Sequence, residues 1–215
     1  MNNRAVVRSI FITFLVFALS SCLTTEVSID FRDSEEIGLQ LVYTIPPEVW
    51  ELGVFDATSP ERAIPISARD AREAANLYDD VTLVEHHVRE ETDAVTVRIE
   101  YAIGSPESLA DLWGWGGENR LQFDPESGRL QIPVNGDAVA VDSEQRELIR
   151  EVFRDQQFRL TLRAPAEITT AGPELSDSSW EQGRAGDTAI WSAPMGQLLL
   201  HDRNAVVEAR WEVPQ

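Results

Sequence analysis

The sequence contains no lysine: all 18 of its basic residues are arginine, set against 37 acids and a formal net charge of −19. Such a surplus of acid argues against sequence-independent binding to nucleic acid, which depends on neutralising phosphates with Lys and Arg. It argues equally against docking on anionic head groups through a basic face. Cysteine is nearly absent too, with Cys22 standing alone. No disulfide can form within the chain, and stability has to come from a packed core. The longest mostly apolar run, Ile10 to Leu19, broken only by Thr13, is about half of the ~20 residues that a helix needs to cross a hydrocarbon core. The motifs of common enzyme chemistry are also missing. There is no G-x-S-x-G elbow, H-E-x-x-H, phosphate-binding loop, dinucleotide fingerprint, C-x-x-C or calcium-loop ladder. The chain is therefore expected not to be an enzyme, with no catalytic residue, no cofactor and no metal site.

What is present begins at the N-terminus. Arg4 and Arg8, with no acid among the first residues, precede the apolar run, the charge and hydropathy pattern of an export signal. The run ends in Leu19-Ser20-Ser21-Cys22. That tetrapeptide resembles the lipobox of bacterial lipoproteins: a branched apolar residue, two small residues and the cysteine. The resemblance implies cleavage between Ser21 and Cys22 and acylation of Cys22, which becomes the first residue of the mature chain. Two or three acyl chains hold a protein firmly where one holds it only marginally. Leu23 follows the cysteine; in such lipoproteins an Asp there resembles an inner-membrane retention signal, so its absence favours the outer membrane, with the periplasmic or surface face left open. Losing Arg4 and Arg8 with residues 1–21, and no acid, moves the net charge from −19 to −21. Membrane attachment should then come from acylated Cys22 and not from the protein's field. The expected organisation is a signal peptide at 1–21, a short lipidated tether at 22–25 and one domain at 26–215.

Within the domain, period-two alternation dominates. Val27, Ile29 and Phe31, and then Leu39, Leu41, Tyr43 and Ile45, predict a hairpin with one buried face, closed by Pro46 and Pro47, the latter able to open a short helix. Ser67-Ala68-Arg69-Asp70 is a capping pattern leading into Ala71, Ala74, Ala75 and Tyr78. Val81 to Arg89 and Val95 to Tyr101 make a second hairpin around Glu90-Glu91-Thr92-Asp93. Ser105 and Pro106 start another helix, Leu121–Phe123 and Leu130–Ile132 flank a third turn, and Asp142 or Ser143 caps a helix with Leu148, Ile149, Val152 and Phe153 as its stripe. Phe158, Leu160 and Leu162 form a further strand. In the tail, Ala189–Trp191, Leu198–Leu200 and Ala205–Trp211 suggest two or three more, with a polar loop or hairpin tip between Gly172 and Asp187. Hairpins separated by single helices predict the α+β class: a mostly antiparallel sheet with three or four helices packed on one face.

Three groups stand out as candidate sites. Glu85-His86-His87 offers metal-ligand residue types, but on a strand His86 and His87 point to opposite faces, His86 with Val84 and Val88, and only His201 remains as a partner. Trp113 and Trp115 offer two indoles to a ligand, or complete a helix stripe. Arg146, Arg150 and Arg154 form a basic stripe on one helix, interleaved with Glu144, Glu147 and Glu151 as an ion-paired solvent face would be.

The mature chain also resembles an uncharacterised spirochaete-type envelope lipoprotein family. The likeness lies in the hairpin closed by Ile45-Pro46-Pro47, in Phe158–Pro165, and in Thr188–Trp191 leading to Pro194-Met195-Gly196-Gln197-Leu198-Leu199. More distantly, the order of elements is similar to the LppM-type lipoprotein domain, an α+β fold to which lipid-handling roles are attributed; many such chains carry a transmembrane segment after the domain, and none is evident here. The resemblance implies architecture and transfers no site residues. The expectation is an envelope lipoprotein whose domain binds or scaffolds, with an apolar or lipid ligand held between sheet and helices. Its alternative is a protein-interaction module of an envelope complex, and a hydrolase is a third reading without motif support.

Overall fold

The structure is a computed structural model and describes residues 24–33, 35–51, 66–112, 121–124, 127–134, 143–154, 156–173, 180–200 and 206–212. In chain order the elements are β1 (Thr24–Asp30), β2 (Ile37–Ile45), α1 (Pro47–Glu51), α2 (Ala68–Ala75), β3 (Val81–Glu90), β4 (Val95–Ile103), α3 (Pro106–Leu112), β5 (Gln122–Asp124), β6 (Arg129–Pro133), α4 (Ser143–Val152), β7 (Gln157–Arg163), β8 (Ile168–Pro173), β9 (Glu181–Ala185), β10 (Thr188–Pro194), α5 (Met195–Leu200) and β11 (Val206–Trp211). The class is α+β, as the alternation predicts.

The strands divide between two sheets. The larger runs β3-β4-β2-β1-β7-β10-β9 and the smaller β5-β6-β11-β8. Every pairing is antiparallel except β1 with β7, where Thr25–Asp30 run parallel to Phe158–Arg163. The inner face of the large sheet is built by the residues the alternation selects: Ile37, Leu39, Leu41, Tyr43 and Ile45 of β2 and Val95, Val97, Ile99, Tyr101 and Ile103 of β4 are all buried. Each aliphatic side chain of that set contributes about 1.5–3 kcal/mol by leaving water. Ala71 and Ala75 of α2 and Leu109 and Ala110 of α3 close over this part of the sheet, small residues allowing close approach. The small sheet joins the same core through Leu130, Ile132, Val207, Ala209 and Trp211. Phe31, just beyond β1, stacks on Phe123 at 5.0 Å, and Trp211 lies 5.9 Å from Phe123.

Local chemistry sets the element ends. The Ser67 hydroxyl accepts from the Asp70 N–H at 3.1 Å to start α2, and Ser105 does the same for Ser108 at 3.2 Å to start α3. Gly128 and Gly186 have φ of 62° and 59°, the left-handed conformation that turns β5 into β6 and β9 into β10.

Four expectations are corrected. The strands form two sheets instead of one. Leu198–Leu200 is not a strand: Pro194 ends β10 and Met195–Leu200 turns as α5, which packs on α4. The stretch between Gly172 and Asp187 holds β9, a fully exposed edge strand whose polar sequence carries no apolar alternation; it is held by the β10 ladder. Its Gln182 and Arg184 side chains also donate to the Ala171 and Thr169 carbonyls of β8, while the Ile168 N–H donates to the Gly186 carbonyl, so the terminal strands of the two sheets are tied together. Finally, a bulge between Leu83 and Glu85 turns Val84 outward, 58% exposed, so it does not share a face with His86.

Candidate functional site

An open concavity lies on the polar face of the large sheet. Register brings its lining together: Ser28 of β1 faces Gln40 of β2, Gln40 faces Glu100 of β4, and Asp30 sits between Gly38 of β2 and Arg163 of β7. The β1–β2 connection adds Arg32, Asp33 and Glu36, and together they line an open hollow of about 500 Å³.

Asp30 is its hub. One carboxylate oxygen accepts from the Arg32 backbone N–H at 3.0 Å and from its Nε at 2.9 Å, and the other accepts from Nη2 at 2.6 Å. Arg163 approaches from the far side, its Nη1 3.6 Å from Oδ2. The Arg32 hydrogen bonds hold the Asp30 carboxyl below its ordinary range against the opposing effect of partial burial, and the Arg163 charge adds to them. The hollow thus combines the guanidinium groups of Arg32, hydrogen-bonded to Asp30, and Arg163 with the carboxylates of Asp30, Asp33, Glu36 and Glu100, and its lining holds no histidine or cysteine. Chemically it suits a polar partner that presents both signs of charge, such as a peptide segment.

The sequence candidates fall elsewhere. Ser21 and Cys22 precede the described residues, and Trp113, Trp115 and His201 also lie outside them. His86 and His87 do diverge. The Nε2 of His86, half-buried, lies 2.8 Å from the Ile66 carbonyl, a link from β3 to the start of α2, whereas His87 is exposed beside Arg98 in the ladder. Two arginines of the stripe are bonded within the fold: Arg150 of α4 pairs with Glu147 at 3.5 Å, and Arg146 donates to the Leu200 carbonyl at 3.4 Å, satisfying the C-terminal end of α5, while Arg154 is exposed beyond the end of α4 at Val152. Asp30, Arg32 and Arg163 drew no attention in the sequence, because they are ordinary polar positions of alternating strands and of a turn. Only the parallel pairing of β1 with β7 places Arg163 against Asp30.

A second polar cluster belongs to the small sheet. Glu208 of β11 accepts from Arg129 at 2.7 Å, Gln131 at 2.8 Å and Arg210 at 2.6 Å. Burial alone would raise its carboxyl, but these three donors outweigh it and bring the value down from 4.5 to about 2. The cluster ties β6 to β11 and is structural.

No family model matches the chain, and no curated protein matches it. Among solved structures, the chain is similar to the NMR structure of the folded domain of the LppM protein of Mycobacterium tuberculosis. The identity is 12% and the TM-score 0.43, over 89% of this chain and 91% of that one. The α+β assignment rests on this chain's own sheets and helices.

Proposed function

We propose that this chain is a lipid-anchored envelope protein whose domain is a non-enzymatic binding or scaffolding module. The observation that carries the proposal is the junction of anchor and fold. Leu19-Ser20-Ser21-Cys22 ends two residues before Thr24, and Thr24 is already paired with Thr44 in the large sheet. An acylated Cys22 would hold the domain directly at the bilayer surface, with Leu23 in place of a retention Asp favouring the outer membrane.

The domain's partner is a polar one, such as a segment of another envelope protein. The mixed charge of the Asp30–Arg163 hollow supports this over an apolar ligand between sheet and helices, because that interface is occupied by Ala71, Ala75, Leu109 and Ala110 packed on β2, β3 and β4. Lipid carriage in that space is the second reading. The acidic surface gives no footing for nucleic acid.

Replacing Cys22 tests the anchor. Cys22→Ala leaves the circular dichroism spectrum unchanged and abolishes both fatty-acid labelling and membrane fractionation; labelling that persists in the variant refutes acylation at this residue. Crosslinking of the anchored wild type is expected to capture a protein through the hollow, and Arg163→Glu to lose it. Native mass spectra showing bound lipid instead would favour the second reading.

A further inference from the structure

The large sheet determines which end of the domain meets the bilayer, an inference that rests on the acylation of Cys22 proposed above. Leu23 alone separates Cys22 from Thr24, so their Cα atoms are at most about 7.6 Å apart. β1 runs from Thr24 to Asp30, a rise of roughly 20 Å at ~3.3 Å per residue. Its neighbours are level with it: Thr24 faces Thr44, the next residue Ile45 faces Val95, and Val95 faces Glu90 at the end of β3. The β3–β4 turn, residues 91–94, is therefore at the height of the anchor. Three interstrand spacings, about 14 Å, separate β3 from β1 laterally. The β1–β2 connection and the Asp30–Arg163 hollow lie at the opposite end.

The chemistry of that turn narrows what it can rest on. Arg89, Glu90, Glu91, Thr92 and Asp93 are all exposed, and Arg89 is engaged with Glu91 at 2.6 Å. Its one apolar residue, Ala94, is half-buried and too small to enter the acyl region, and acids outnumber the one guanidinium. Anionic head groups would meet like charge, whereas zwitterionic head groups present an ammonium outward. We propose that the β3–β4 hairpin tip, at the same end of the sheet as α1 after Ile45 and the β10–α5 junction after Pro194, is part of the membrane-facing surface of the anchored domain, resting on a zwitterionic head-group layer and directing the hollow into the aqueous compartment.

The acylated full-length chain, reconstituted in phosphatidylcholine vesicles containing a head-group-labelled acceptor lipid, tests this by energy transfer. A fluorophore is placed on Thr92→Cys or, separately, on Glu35→Cys; acylation blocks Cys22, so each new thiol is unique. The label at 92 is expected nearer the surface than that at 35 by at least ~20 Å, the rise of β1. Added phosphatidylglycerol should lift the label at 92, and Glu90→Gln with Glu91→Gln and Asp93→Asn should remove that dependence. Equal heights, a nearer label at 35, or a tip drawn closer by anionic lipid would overturn the proposal. The intact mass of the purified chain reports acylation independently. If acyl chains are absent, the anchor proposal fails, and the orientation is read instead on a chain coupled through Cys22 to a maleimide phospholipid. Hydrogen exchange should then slow on vesicles at residues 89–95 and stay unchanged at 31–36; the reverse refutes the geometry itself.

Discussion

Trp191 is fully buried on β10, opposite Leu160 of β7, and its indole N–H has no hydrogen-bond partner among the described residues. Two opposing quantities decide what Trp191→Phe does. Removing the second ring leaves a void of roughly 40 Å³, about 1 kcal/mol at ~24 cal/mol per Å³. Lost apolar burial adds about another 1 kcal/mol. Against this, the substitution deletes a buried donor whose lack of a partner costs about 1–3 kcal/mol. The terms nearly cancel, so the variant is expected within ~1 kcal/mol of the wild type. Trp191→Ala, which removes the packing as well, is expected to cost about 3–5 kcal/mol. Urea unfolding followed by far-ultraviolet circular dichroism, which does not depend on the indole, measures both. A loss beyond ~2.5 kcal/mol for Trp191→Phe would show that the N–H is satisfied in solution and that the accounting is wrong.

Glu208 predicts the acid sensitivity of the small sheet. Its folded value, about 2, lies below its ordinary 4.5, so the stabilisation is complete above the ordinary value and drains away as pH falls toward the folded one. Discounted for solvent screening, it amounts to about 2 kcal/mol. Glu208→Gln should flatten the urea midpoint between pH 5 and about 2.5, and an unchanged profile would refute the assignment. Asp80 accepts from the Ser105 hydroxyl at 2.6 Å and from that of Ser108, anchoring the first turn of α3. Asp80→Ala should cost about 1 kcal/mol and speed hydrogen exchange in α3 selectively; uniform acceleration across the domain would contradict a local role.

Much of this fold is legible residue by residue, and the failures share a cause. β2 and β4 are readable because one face is apolar at every second residue, and α2 and α3 because a serine precedes each by one position. β9 was missed because an exposed edge strand needs no apolar face; its backbone ladder is what makes it a strand. Leu198–Leu200 misled because three consecutive apolar residues have no period, and packing on α4 settles them as helix. Strand geometry alone separates His86 from His87, but it puts Val84 on the face of His86, and only the bulge between Leu83 and Glu85, which inverts the alternation, turns Val84 outward.

The sequence by itself determined most of the local elements, the acidic balance and the lipobox-like Cys22. Each depends on residues close in the chain or on composition alone. The tertiary structure decided what they combine to make. Parallel pairing of β1 with β7 joins distant segments, and loop-closure entropy rises so slowly with length that no local pattern marks which strands will meet. That pairing sets Arg163 against Asp30 and creates the hollow. The ladder from β1 through β2 and β4 to β3 likewise brings Glu90–Asp93 level with Thr24, more than sixty residues earlier in the chain. Register, a property of the assembled sheet, is what would turn the proposed acylation at Cys22 into an orientation.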